Sequence, residues 1–302
     1  MSLKTALIGA QKKFKTHGIT SASLDAEVLL LHALGRGRRR RDKSWLYLNL
    51  ERYQLSAQEE KIFEEYVKRR LGGEPIAYIT QTKEFYGLDF FVNESVLIPR
   101  VETELLVDNS LALLRREKKK FTLLDLGTGS GCIPISIAQA AQAEGLDKYL
   151  GDLLADDVSA AALATAKKNA RRHGLARKIN FLHAELADAL ANIKGHERVI
   201  VTANLPYITP RDYEKLAPGV RKFEPRLALR AEENGLALIY HLLDNFAALS
   251  RNFADYHLLL EADPRQMRSL KARAQKALPG CGIELVRDLR GKTRLAIISK
   301  QK

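Results

Sequence analysis

From Phe121 onward the chain repeats one pattern, a short apolar or β-branched run followed by a helix-length segment. Phe121–Leu126, Val199–Ala203, Leu258–Glu261 and Arg294–Ser299 read as strands. The residues after Gly131 and the alanine-rich stretch 160–173, stopped by Gly174, read as helices. Strands separated by helices of this length pair in parallel, because a parallel neighbour needs a long crossover. The expectation is therefore an α/β fold with a mainly parallel, doubly wound sheet. With 302 residues, 46% of them apolar, the chain can fill one large core or two unequal ones.

The turn after the first of these strands is Gly127-Thr128-Gly129-Ser130-Gly131. Glycines between a strand and a helix let backbone approach a ligand closely, and the helix N-terminus favours a polar or anionic group. The G-x-G-x-G spacing is not the G-x-G-x-x-G of dinucleotide binders, and no Gly-Lys-Ser/Thr closes a P-loop. Asp156-Asp157-Val158-Ser159 then falls where a second strand should end. A carboxylate there can accept both hydroxyls of a ribose, and the two aspartates compete for that role.

Asn204-Leu205-Pro206-Tyr207 follows the Val199–Ala203 strand, at the sheet edge where open α/β folds bind ligands. Its chemistry suits a flat NH₂ group. The Asn204 side-chain oxygen and the Leu205 carbonyl can each accept one N–H, Tyr207 can stack on the plane, and Pro206 stiffens the turn. An NH₂ on a carboxamide or on adenine meets the same description.

Upstream, residues 1–73 read as a helical domain. Ser23 is the expected N-cap of a helix with Leu24, Val28 and Leu31 on one face, ending at a left-handed Gly35. Ser56 and Glu59 form a capping box before the stripe Ile62, Phe63, Tyr66, Val67 and Leu71, and Gly72-Gly73 ends that helix. Glu84-Phe85-Tyr86-Gly87-Leu88 reads as a strand–turn–strand. Of the net charge of +13, +7 lies in residues 1–73, much of it in Arg36, Arg38, Arg39, Arg40, Arg41 and Lys43. With no interleaved aromatics this run is expected to be a solvated loop, the other reading being a phosphate or acidic-partner patch.

Two cysteines, Cys132 and Cys281, cannot build a disulfide framework, and Cys132 is expected to pack. The seven histidines have no metal-ligand spacing, so no metal is expected. The N-terminal residues lack a long apolar core and no run approaches the ~18 residues of a membrane span. The expectation is a soluble, cytoplasmic, monomeric protein.

Together these motifs resemble the HemK/PrmC family of protein glutamine N5-methyltransferases, over nearly the whole chain. Gly73–Ile79 and Glu84–Leu88 resemble its hairpin linker, and Val96–Leu106, with Pro99-Arg100-Val101-Glu102-Thr103-Glu104, its distinctive segment leading into the catalytic domain. Phe223-Glu224-Pro225 with Ala228-Leu229 resembles a later segment. The resemblance implies a seven-stranded Rossmann-like S-adenosylmethionine-dependent methyltransferase domain, residues 100–302, behind a β-hairpin linker, 74–99, and a helical substrate-docking domain, 1–73. It implies methylation of a glutamine amide, most specifically in the Gly-Gly-Gln loop of peptide chain release factors.

Gly127, Thr128, Gly129, Ser130 and Gly131 would hold the methionine and ribose parts of the cofactor. Asp157 would hold the ribose hydroxyls, favoured over Asp156 by lying 12 residues before Asn169 as in that family. Glu185 and Leu186 would border adenine. Asn204, Leu205, Pro206 and Tyr207 would grip the acceptor, Asn204 also bordering the cofactor. The family usually has Asn-Pro-Pro-Tyr, Asp in place of Glu185, Pro in place of Val101 and Gly in place of Asp263. Asn-Leu-Pro-Tyr is the form that resembles RNA adenine dimethylases. An adenine N6-methyltransferase acting on RNA or DNA, a ribosomal-protein glutamine methyltransferase and a binding module without catalysis are the competing expectations.

Overall fold

The computed structural model describes residues 1–35, 41–193 and 197–300. The chain forms two compact units, one of residues 1–82 with 217–223, the other of residues 83–216 with 224–300 among those described.

The first unit is helical. Helices Leu3–Thr16, Ala22–Leu34 and Ala57–Leu71 bury Leu3, Phe14, Leu29, Leu30, Phe63 and Tyr66 in one apolar cluster. The Ser56 capping box is complete, with Ser56 Oγ accepting the Glu59 N–H and Glu59 Oε2 accepting the Ser56 N–H at 2.9 Å. Three details of the preceding helix differ from expectation. Its N-cap is Ser21, Gly35 closes it in the right-handed region, and Leu24 is 56% exposed while Ala26, Leu29, Leu30 and Ala33 are buried. The helix is apolar nearly all round, so its own periodicity cannot choose the buried face; its neighbours do.

Of the arginine run, residues 36–40 lie outside the described residues. Arg41 is not a free surface charge. Its guanidinium lies 4.4 Å from the Trp45 ring centre and 4.6 Å from that of Tyr53, and it pairs with Glu59 at 3.1 Å. The aromatics come from just downstream of the run, which is why they do not appear interleaved in it. Lys43 pairs with Glu27 at 2.7 Å.

The second unit opens with a hairpin, β1 (Thr82–Phe85) and β2 (Leu88–Phe91), with only Thr82 assigned to the first unit. Tyr86 and Gly87 both take positive φ, 52° and 73°, as a two-residue hairpin turn requires. The seven-stranded sheet follows: β3 (Phe121–Leu126), β4 (Leu150–Asp157), β5 (Ile179–His183), β6 (Arg198–Ala203), β7 (Asp255–Glu261), β8 (Gly282–Arg287) and β9 (Thr293–Ser299), in the order β5-β4-β3-β6-β7-β9-β8. The first five strands in that order are parallel, and β9 runs antiparallel to β7 and β8.

Every residue of β3 and β7 is buried. One apolar cluster gathers around Leu124, Val201, Leu242 and Leu258, another around Leu111, Leu123, Ile135 and Ile200. Helices on both faces of a parallel sheet leave no polar side, hence the continuous apolar strands. The chain builds β3, β4 and β5 outward, then returns to lay β6 on the other side of β3. That reversal opens a crevice beyond the strands' carboxyl ends.

Candidate active site

A cavity of about 380 Å³ lies in this crevice. One wall is the turn after β3. Gly127, Gly129 and Gly131 take φ of 65°, 54° and 78°, the left-handed region that side chains resist. At Gly131 a Cβ would also lie 3.1 Å from Ile135 Cδ1 and 3.2 Å from Ala166 Cβ, tighter than side chains ordinarily pack, so the neighbours would have to give way. The turn is held from β4: the Thr128 N–H donates to the Asp156 carbonyl at 2.7 Å, and the Gly129 N–H to Asp157 Oδ2 at 2.9 Å. Asn169 braces it from behind, donating from Nδ2 to the Ser130 carbonyl at 2.8 Å and pairing with both backbone groups of Phe91. Asn169 is thus a clamp joining the hairpin to the glycine turn, a role its spacing from Asp157 does not disclose.

Three carboxylates crowd this wall. Burial pushes Asp125 up to about 7, and Asp157's charge adds to the shift. Burial likewise carries Asp156 up to about 8, with Asp125 and Asp157 as repelling neighbours. Asp157 is raised by burial too, opposed by the N–H groups of Ser159 and Gly129. Asp156 and Asp157 line the cavity, whereas Asp125 lies fully buried beneath it with Thr202 Oγ1 donating to its Oδ1 at 2.7 Å. A site that holds carboxylates this close is suited to a cation.

The opposite wall carries Asn204, Leu205 and Pro206, just past β6. Asn204 Nδ2 donates to Thr103 Oγ1 at 2.9 Å. Leu205 is buried and packs toward the turn: a Cβ on Gly127 would come within 3.2 Å of its Cδ2. Tyr207 is not among the lining residues. Its carbonyl accepts from Gln266 Nε2 at 2.8 Å and its hydroxyl faces Glu261 Oε1 at 3.5 Å. Burial raises the Tyr207 phenol, and the charge of Glu261 raises it further.

Of the residues singled out in the sequence, the cavity brings together Gly127, Thr128, Gly129, Ser130, Asp157, Glu185, Leu186, Asn204, Leu205 and Pro206; Gly131 and Tyr207 stand behind it. Cys132, buried, also reaches the wall, with its thiol pushed up to about 12 by burial and so kept protonated.

Sequence reasoning missed the residues that tie the Pro99–Glu104 string to the site. Glu224, of the Phe-Glu-Pro motif, accepts from Arg100 at 2.6 Å and from the Ile98 N–H at 3.1 Å. Glu104 accepts the Tyr86 N–H at 2.9 Å. Thr103 reaches Asn204, and Glu261 lies behind them both. The specificity of the string was the available signal; its partners, distant in sequence, were not readable. Among the described residues no group of histidine, cysteine and acidic side chains is arranged to hold a metal.

Residues 5–80 match the PrmC N-terminal domain. The release factor glutamine methyltransferase of Nitratidesulfovibrio vulgaris is 40% identical over 78% of this chain and 74% of its own length. That of Rhodopirellula baltica is 34% identical over 96% of this chain and 92% of its own. The chain belongs to the release factor glutamine methyltransferase family. Among solved structures, the N-terminal domain of human METTL16, in complex with SAH, superposes with a TM-score of 0.51 at 18% identity, covering 77% of this chain and 83% of that one. At that identity the likeness speaks for the methyltransferase fold alone. The family is the one that the sequence motifs resemble.

Proposed function

We infer that the protein is an S-adenosylmethionine-dependent methyltransferase acting on a glutamine side-chain amide of a peptide chain release factor, as its relatives are named. The observation that carries this is one cavity shared by the glycine turn and the Asn204–Pro206 segment.

The wall chemistry fits the cofactor. Asp156 and Asp157 suit its positive charges, and Val96, Val158 and Leu186 offer an apolar bed for a base. Gly127–Gly131 and Asp157 would hold it, with Glu185 and Leu186 beside the adenine. When bound, S-adenosylmethionine supplies a methyl group from its sulfonium and leaves as a neutral thioether, while the amide nitrogen sheds one proton.

The chain's own residues supply orientation. A carboxamide nitrogen is a poor nucleophile because its lone pair is delocalised. Asn204 Oδ1 and the Leu205 carbonyl would each accept one of its N–H groups and so fix the nitrogen's position, with Pro206 stiffening the turn and Tyr207 close behind. The buried Leu205 also excludes water between the two walls. We assign docking of the protein substrate to residues 1–73, linked through 74–99 to a catalytic domain of residues 100–302, and place the reaction in the cytoplasm. Among the described residues no helix is long and apolar enough to cross a membrane.

Replacing Asn204 with alanine should lower turnover by roughly 100-fold or more, with S-adenosylmethionine affinity by calorimetry little changed. Full activity in that variant would overturn the assignment. Labelled S-adenosylmethionine incubated in parallel with a release factor, a ribosomal-protein fraction and RNA should mark the release factor; label only in RNA would replace the acceptor.

A further inference from the structure

Asn204 can serve an incoming NH₂ only if its oxygen, not its own NH₂, faces the cavity. A primary amide is nearly symmetric in shape, so something behind it must choose. Asn204 Nδ2 donates to Thr103 Oγ1 at 2.9 Å. A hydroxyl, however, can donate as well as accept, and Thr103 by itself would tolerate either amide orientation.

Behind Thr103 stands Glu261, at the carboxyl end of β7 and 2% exposed. Its neighbours come from three other segments: Thr103 and Glu102 from the Val101–Thr103 turn, Tyr207 from beyond β6, and Arg294 from β9. The Tyr207 hydroxyl faces Oε1. Oε2 is buried without a hydrogen-bond partner, and the Thr103 hydroxyl and Arg294 beside this carboxylate favour its charged form. An ionised carboxylate only accepts. Ionised, it can draw the Thr103 proton toward its unpartnered Oε2, which would leave the Thr103 oxygen to accept and turn the Asn204 NH₂ backward and its oxygen forward.

We propose that Glu261 is a positioning residue that, through Thr103, sets which end of the Asn204 amide meets the acceptor. This rests on Asn204 being the acceptor's partner. The direction of each hydrogen bond is fixed by the carboxylate at the end of the row, and Glu261 touches no reacting atom.

Protonation should undo the arrangement. Burial lifts the Glu261 carboxyl up to about 7, with the like charge of Glu102 adding to it and Arg294, Thr103 and Tyr207 opposing. Below that pH, Glu261 becomes a donor, the Thr103 proton is released toward Asn204, and the amide is free to turn its NH₂ into the cavity. That orientation opposes two sets of donors.

The test uses the full-length protein with a purified release factor and S-adenosylmethionine, scanned from about pH 6 to pH 8.5. The wild type should lose activity as pH falls through about 7. Glu261→Gln should cut kcat by roughly tenfold or more, the scale of lost second-layer support. With S-adenosylmethionine saturating at every pH, so that titration of Asp125 and Asp156 at the cofactor wall does not limit the rate, it should also abolish that acid limb, and it should leave cofactor affinity within about twofold. Thr103→Val, without the hydroxyl, should fall comparably, and Thr103→Ser, which keeps it, should recover most of the rate. A Glu261→Gln enzyme with wild-type rate and an unchanged acid limb overturns the proposal. If that variant does not fold, the two Thr103 variants decide: equal activity in valine and serine forms overturns it. An active Asn204→Ala enzyme would instead remove the reading beneath.

Discussion

On one wall of the cavity, the turn Gly127–Gly131 shapes the site with its backbone; on the other, side chains from three separate segments must agree. The Gly127–Gly131 turn is positioned by its own φ angles and by N–H groups donating to β4. Asn204 is positioned by Thr103, and behind them Tyr207 and Glu261 meet, residues far apart in sequence. The glycine turn of the first wall should be intolerant of any added Cβ where space and φ forbid it, its charge recognition being left to Asp156 and Asp157. The second should show the reverse, accepting altered bulk more readily than a swapped donor and acceptor. The acceptor-wall half of that contrast is carried by the Asn204, Glu261 and Thr103 variants.

The largest effect on the glycine wall is expected at Gly131. A β-branched side chain there meets both a left-handed φ of 78° and the packed Ile135 and Ala166. The conformational cost is ~1–2 kcal/mol, and forced overpacking adds ~1–3 kcal/mol. Gly131→Val should therefore lower the urea midpoint markedly and abolish measurable S-adenosylmethionine binding. Wild-type affinity in a folded Gly131→Val protein would mean the turn's shape is not what the cofactor reads.

Gly129 separates the two causes. It shares the left-handed region, φ 54°, but a Cβ there meets nothing within 4 Å. Gly129→Ala should cost only the conformational share, ~1 kcal/mol or a little more, and weaken cofactor binding far less than Gly131→Val. If both variants lose binding alike, approach of the ligand to the backbone, not internal packing, sets the glycine requirement.

The same difference governs what could be read from the amino-acid sequence. The strand–glycine–helix pattern is local, and β3, the turn and the Cys132–Ala143 helix lie where the apolar runs and glycines put them. The Ser56 capping box was readable for the same reason, since both partners sit within one turn. The Ala22–Leu34 helix was misread on its face and caps because its apolar residues surround it, leaving the choice to its neighbours. The Pro99–Glu104 string was recognisable as a pattern but not as a mechanism. Arg100, Thr103 and Glu104 each find a partner, Glu224, Asn204 and the Tyr86 N–H, that no spacing rule connects to them. Leu205, unexpected beside the usual proline, has a packing role against the Gly127 turn that only the folded crevice reveals.

The smallest effect, and the one that weighs the two walls against each other, is on the pH dependence of stability without ligand. Asp125 and Glu261 are raised to about 7 and Asp156 to about 8, each chiefly by burial, and Asp157 is raised as well. A carboxyl whose folded pKa lies above its unfolded value is held protonated in the folded state. Its contribution is complete below the ordinary carboxylate range and is lost as pH rises through the folded value. The oppositely shifted Glu27, Glu59, Asp212, Asp263 and Asp288 have folded values below the ordinary carboxylate range, so their contribution is already complete at the bottom of this window. The ligand-free melting temperature should therefore fall between about pH 5.5 and pH 8; a rise over that range would contradict the placement of these groups.

Asp125→Asn keeps an oxygen for the Thr202 hydroxyl while removing one buried charge, and should flatten the slope. Glu261→Gln should flatten it less, because Asp125 belongs to a set of three mutually repelling carboxylates whereas Glu261 has Arg294 nearby. S-adenosylmethionine, being cationic, should raise the melting temperature more at pH 7.5 than at pH 6 in the wild type, and this difference should shrink in Asp125→Asn but persist in Glu261→Gln. The reverse ranking would place the electrostatic strain of the cavity behind the acceptor wall and not beneath the glycine turn.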